Sequence, residues 1–214
     1  MGVVRRLRCL DQAMFPDLLV RTLERELRGA ASVLDVGCGE GGPLLCLPKR
    51  ARLTGLDGHA PSLEKLRASG RYDELVFAPL DQAPFLAGSF DTVVCLDVIE
   101  HFTKPQAMAL ITLLERWAAR KVVLATPNGF LAQRSYDANP FQEHKCGFST
   151  AELRALGYRV HGIRGPKFLR GELGQVRFRP KFLWHRISGA LQPLTWVWPQ
   201  GAFGLVAVKE SSKT

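Results

Sequence analysis

Three groups of residues in this chain have types and spacing suited to chemistry. The first is Asp35, Gly37, Cys38, Gly39 and Glu40 within the run S-V-L-D-V-G-C-G-E-G-G, Ser32 to Gly42. The second is Asp57 with Gly58, at the end of the next apolar stretch. The third is Asp97, Glu100 and His101, with His144 further on in a polar and aromatic segment. Glycines at 37 and 39 allow positive φ and carry no Cβ, so the backbone can approach a ligand closely. Asp57 follows the glycines at a spacing that suits contact with a ribose, whether of a dinucleotide or of another nucleoside ligand. An imidazole such as His144 takes a proton near neutral pH, which makes it the first candidate for a general base; His101 is the second.

The acids narrow the ligand. A carboxylate at Asp35, two residues before the first glycine, would repel a pyrophosphate, and Glu40 adds a second negative charge to the loop. S-adenosylmethionine (SAM) carries an ammonium and a sulfonium, which a carboxylate attracts. No cluster has metal-ligand spacing, so the sequence implies no metal.

The elements that must hold these residues alternate strand and helix. Ser32–Val36 reads as a buried strand running into the glycine turn, and Pro43 with Leu44, Leu45 and Leu47 as a short helix. Arg52–Leu56, Glu74–Ala78, Asp91–Leu96, Lys121–Ala125, Tyr158–Ile163 and Phe203–Lys209 are the other strands. Pro16–Arg28 is a helix with Leu19, Leu23 and Leu27 on one face, stopped by Gly29. Further helices are expected at Ala60–Ala68 and at Lys104–Arg120, the latter capped by Thr103 and with Arg116 and Arg120 in its last turn. Ser149-Thr150-Ala151-Glu152 is a capping box that opens a helix ended by Gly157. Asp97 and His101 then fall at the carboxyl end of a buried strand, where open α/β sheets assemble their sites.

The run V-L-D-V-G-C-G-E-G resembles motif I of the class I SAM-dependent methyltransferases, in particular the small-molecule group related to quinone-biosynthesis enzymes. The resemblance continues in order through Leu53-Thr54-Gly55-Leu56-Asp57, Gly88-Ser89-Phe90-Asp91, Leu96-Asp97-Val98-Ile99-Glu100-His101-Phe102 and Leu124-Ala125-Thr126-Pro127-Asn128, covering roughly residues 30 to 165. It implies a Rossmann-like α/β fold: a seven-stranded, mostly parallel sheet with an antiparallel last strand inserted between strands five and six, and helices on both faces. It implies SAM as cofactor and S-adenosylhomocysteine as product, held by Asp35, Gly37, Cys38, Gly39, Asp57 and Gly58. Backbone around Leu96 and Asp97 would line the methionine end. Family members place an acid against the adenine amino group; here Pro79 stands at that position and Asp81 two residues later. Glu100 and His101 would anchor the following loop or act directly.

Composition fits one domain of residues 1–214, with insertions at about 129–147 and 165–201. The five cysteines at 9, 38, 46, 95 and 146 form no C-x-x-C, which suits reduced thiols in a cytoplasmic setting. A net charge of +9 is spread along the chain without a dense basic and aromatic run, so nucleic acid is an allowed but unfavoured partner. Leu96-Asp97-Val98-Ile99 stands where exocyclic-amine base methyltransferases carry an Asn-Pro-Pro-Tyr type motif. The first insertion, with Phe130, Tyr136, Phe141 and His144, would hang over the open sheet edge and suits a flat or amphipathic small-molecule acceptor. The second, with Lys167, Phe168, Arg177, Phe182, Trp184, Trp196 and Trp198, is too polar to span a bilayer; it suits peripheral membrane contact, a substrate wall or a subunit contact. Three function classes stand: small-molecule methyl transfer, RNA methyl transfer, and SAM binding without catalysis. The sequence determines neither the acceptor nor the oligomeric state.

Overall fold

A computed structural model describes residues 18–133, 140–171 and 174–211. The start of the first expected helix, Tyr136 of the first insertion and Cys9 lie outside the described residues. The apolar runs read from sequence form one sheet: β1 (Ser32–Val36), β2 (Arg52–Asp57), β3 (Glu74–Phe77), β4 (Phe90–Leu96), β5 (Ala118–Pro127), β6 (Arg159–Pro166) and β7 (Ala202–Glu210). Its order is β3-β2-β1-β4-β5-β7-β6. The pairs among β1 to β5 are parallel, and β7 runs antiparallel between β5 and β6. The expected seven-stranded topology is therefore the one observed. Strand order reverses between β1 and β4, so the loops that leave their carboxyl ends diverge and open a crevice.

Period-two alternation divides β1 between two cores. Leu34 and Val36 face a cluster that includes Trp117, Leu110 and Leu114 of α3 (Lys104–Trp117) and Leu153 of α4 (Thr150–Ala155). Val33 faces the opposite cluster with Leu19 and Leu23 of α1 (Leu18–Glu26). Helix α2 (Ala60–Arg67) seats Leu63 and Leu66 against Cys38 beneath the glycine turn. Capping boxes start α3 at Thr103 and α4 at Ser149, the second as expected.

Several boundaries differ from the sequence reading. Helix α3 stops at Trp117, not Arg120, because Ala118 is already extended (φ −77°, ψ 126°) and pairs with Phe90. Arg120 therefore lies in the strand. The segment after Pro43 is a single tight turn of 3-10 helix, Gly42–Cys46. Strand β6 continues past Ile163 to Pro166, which pairs with Ala202, so the second insertion begins inside the sheet. That insertion also carries two helices, α5 (Lys181–Ala190) and α6 (Gln192–Val197). No described helix is long and apolar enough to cross a membrane.

Candidate donor and acceptor sites

The glycine turn is built by hydrogen bonds to the end of the neighbouring strand. Gly37 N and Cys38 N both donate to Leu56 O, at 2.7 and 3.1 Å. Gly39 N donates to Asp57 Oδ2 and His59 N to Asp57 Oδ1, each at 2.7 Å. Gly37 needs its glycine: φ is +70°, and a Cβ would stand 2.4 Å from Val98 Cγ2. Three successive loop N–H groups are thus spent inside the fold, leaving none of them to cradle a phosphate. Asp57 keeps acceptor capacity, because an ionised carboxylate offers about four lone-pair sites and two are used. A cavity of about 950 Å³ opens over this turn, lined by Gly37, Gly39, Asp57, Gly58, Asp81 and Asp97 among others.

Two expected ligand residues, and the side chain of a third, lie elsewhere. Asp35 does not line the cavity; it shares the face of Val33, is 4 % exposed and accepts a 2.6 Å hydrogen bond from Tyr72 Oη. Burial pushes its carboxyl up to about 7, with nearby Asp57 adding to the rise and Tyr72 opposing it. Cys38 is buried against Leu63 and Leu66, and burial pushes its thiol well up, so it is an inert packing residue. Leu96 packs at the margin of the α1-side core rather than lining the cavity. Alternation along β1 explains Asp35: it falls on the same face as Val33, which directs its carboxyl toward Tyr72.

Beside the first cavity lies a second, of about 730 Å³, and the two share Asp97, His101 and Gln142. Asp97 has φ +54° and Arg164 φ +65°. Their side chains form a two-pronged ion pair, with Arg164 Nη1 at 3.0 Å from Asp97 Oδ1 and Nη2 on Oδ2. Two non-glycine residues in the left-handed region, locked to each other, mark strain concentrated at a site. Nothing local in the sequence announces Arg164; β6 brings it across β7 and β5.

Glu100, His101 and His144 also line this second cavity. The rings of His101 and His144 are 4.9 Å apart. Each is held through Nδ1 by a backbone carbonyl: His101 by Glu143 O at 3.1 Å, His144 by Leu131 O at 2.7 Å. Lys145 N and Cys146 N donate to Glu100 O, tying the loop that carries His144 to the end of β4. Glu100 is 1 % exposed; Thr126 Oγ1 donates to its Oε2 at 3.0 Å, while Oε1 has no hydrogen-bond partner. Burial pushes the Glu100 carboxyl up and the His101 imidazole down. The loop is fixed further by Gly147, where a Cβ would stand 2.3 Å from Phe130 N, and by Lys104 Nζ on Gly147 O at 2.7 Å. The expectation that Glu100 and His101 anchor the loop and the expectation that they face a reactant are both compatible with this placement.

Comparison with known proteins agrees with this geometry. Residues 33–121 match the family model described as a methyltransferase domain. A ubiquinone biosynthesis O-methyltransferase of Xanthomonas euvesicatoria is 40% identical over 115 residues, 48% of this chain and 45% of that protein. The chloroplastic magnesium protoporphyrin IX methyltransferase of Arabidopsis thaliana is 29% identical over 113 residues, 50% of this chain and 36% of that protein. The chain thus spans less than half the length of these curated relatives. In three dimensions it is similar to the magnesium protoporphyrin IX methyltransferase of Synechocystis PCC 6803, solved with bound SAM, at TM-score 0.55 and 18% identity over 99% of this chain and 85% of that one. The sheet order is that of the solved methyltransferases it resembles, and residues 33–121, which hold the glycine turn and Asp57, are the part that matches the methyltransferase-domain model.

Proposed function

We propose that the protein transfers the sulfonium methyl of SAM to an oxygen of a small-molecule acceptor, by in-line displacement. The observation that carries the donor assignment is the glycine turn, whose Gly37, Cys38 and Gly39 amides are consumed by Leu56 O and Asp57. A dinucleotide pyrophosphate needs those donors; a SAM ribose needs the Asp57 carboxylate. Gly37 and Gly39 admit the donor's body, Gly58 and Asp81 lie along the nucleoside end, and Asp97 stands where the donor cavity meets the acceptor cavity. The methyl passes at the shared wall of Asp97, His101 and Gln142. Because the donor is already activated, the protein's task is to align the nucleophile and exclude water. An oxygen acceptor must lose a proton, and His101 and His144 are the groups facing it on that side.

The acceptor side also favours an amphipathic substrate. Helices α5 and α6 and the turn after them expose Phe182, Val197 and Trp198 beside Lys181 and Arg186. From 174 to 209 the sequence has no acidic residue. A basic face with exposed aromatics suits rest on an anionic membrane surface from which a lipid-like acceptor is drawn. Calorimetric titration with SAM and with S-adenosylhomocysteine tests the donor assignment: micromolar binding of both is expected. Failure of both ligands to bind, with NAD binding instead, would sink the reading.

A further inference from the structure

At the end of the sheet opposite the crevice, where β1 and β2 begin, a third cavity of about 50 Å³ lies between α1 and the turn Gly42–Cys46. None of the residues around it lines either of the other two cavities. Its floor is aliphatic: Val33, Leu44, Leu47 and Leu53, each at most 8 % exposed. Its rim is basic. Lys49 is neutralised by Asp73 at 2.7 Å, but the side chains of Arg28 and Arg50 have no hydrogen bond or ion pair among the described residues. Arg71 is the most informative: its Nη2 donates to Leu47 O, and its Nε is buried without a hydrogen-bond partner. A buried guanidinium nitrogen in that state ordinarily has an acceptor. Glu24 is the one acid among the residues that line the cavity, so three guanidinium groups outweigh one carboxylate.

We propose that this cavity binds a short aliphatic carboxylate, with its tail on the leucine floor and its head on Arg71, flanked by Arg28 and Arg50. A guanidinium fork matches the geometry of a carboxylate, whereas the aliphatic floor gives an inorganic anion no partner. Size excludes a nucleoside or a ring compound, because the cavity holds only a few heavy atoms. The site does not depend on the methyl-transfer reading: it lies at the amino-terminal ends of β1 and β2, and the glycine turn leaves the carboxyl end of β1. Leu44 and Leu47 still connect the two, since they lie in and just after the short turn that begins at Gly42. An occupant packs this segment against β1 and α1, and by binding only the folded chain it raises stability.

Titration of the full chain with sodium butyrate, read by methyl NMR at Val33, Leu44, Leu47 and Leu53, tests the proposal. Saturable shifts are expected, with butyrate bound on the order of tenfold more tightly than acetate because two more methylenes are buried. Butan-1-ol should bind more weakly than butyrate, and Arg71→Gln should abolish that preference. Arg28→Gln combined with Arg50→Gln, both exposed positions, should weaken butyrate several-fold and keeps the test open if Arg71→Gln does not fold. Butyrate should also raise Tm above the value in sodium chloride of equal ionic strength. Absence of saturable shifts with butyrate would overturn the proposal. So would acetate binding as tightly as butyrate, which marks a plain anion contact, or butan-1-ol doing so, which marks an apolar hole that reads no charge.

Discussion

The two halves of the crevice are built by different means. On the side proposed for the donor the turn itself is held through backbone: Gly37 and Gly39 at positive φ donate to Leu56 and Asp57 of the adjacent strand. On the acceptor side the surface is side chains from four separate segments: Asp97 to His101 after β4, Gln142 and His144 in the first insertion, Arg164 on β6 and Arg170 beyond it. A backbone site depends on glycine, on turn geometry and on one carboxylate, all encoded within a short stretch. A side-chain site depends on which strands become neighbours. The proposed donor half is therefore fixed by a turn of the sheet itself, while the proposed acceptor half draws part of its wall from an insertion.

The largest effects that test this division come from two glycines, one on each side, with no room for a Cβ. Gly37→Ala adds left-handed strain and a 2.4 Å clash with Val98, and should cost about 2 to 4 kcal/mol and abolish SAM binding. Gly147→Ala meets the Phe130 backbone at 2.3 Å and should displace the His144 loop, removing turnover while SAM still binds. Parallel titrations and single-turnover assays separate the two, and loss of SAM binding in both variants would erase the distinction between the halves.

Next in size is Asp57→Ala. It removes the acceptor for Gly39 N and His59 N as well as for the proposed ribose contact, so SAM affinity should fall by about 2 to 3 kcal/mol, on the order of 30- to 150-fold. Calorimetry on the same preparation used for wild type reads this directly.

Asp35 gives a smaller effect that depends on pH. Its folded carboxyl lies at about 7, raised from an ordinary 3.8 by burial. The folded state then binds this proton more tightly than the unfolded chain does. Its contribution to stability is complete below pH ~4 and is lost as pH rises to about 7. In Asp35→Asn that loss is absent, so the variant should gain on wild type between pH 5 and pH 8 by about 1 to 3 kcal/mol. Urea unfolding at the two pH values measures the gap; a constant gap would mean that Asp35 is ionised throughout and exposed to ligand or solvent after all.

The smallest effect is expected at the surface. Trp198→Ser together with Phe182→Ser should weaken binding to anionic vesicles by about 1 to 3 kcal/mol, with no change in SAM affinity. Sedimentation with vesicles of phosphatidylglycerol reads the difference, and equal binding by wild type and variant would remove the membrane from the acceptor side.

Much of the fold was legible because its signals are local. Alternating apolar runs, the glycine turn, Gly29 and the Ser149–Glu152 box are each decided by residues a few positions apart. The end of α3 was not, since Ala118 leaves the helix to pair with Phe90, a partner supplied by the sheet. Asp35 lies away from the cavity for a related reason: its charge and the motif resemblance suggested a ligand, whereas the pleat directs it to Tyr72 in the core. Asp57, Gly37 and Gly39 line one cavity, as residues of a turn whose signal is continuous in sequence.

By itself the sequence determined the order along the chain of the seven strands and of the helices outside the second insertion, the glycine turn and the carboxylate that closes it, because these follow from propensity, period and spacing along one chain. Only the tertiary structure decided that Arg164 pairs with Asp97 and that Glu100, His101 and His144 converge. Those contacts cross the sheet between β4, β5, β7 and β6, and the antiparallel insertion of β7 sets which segments meet at the open edge.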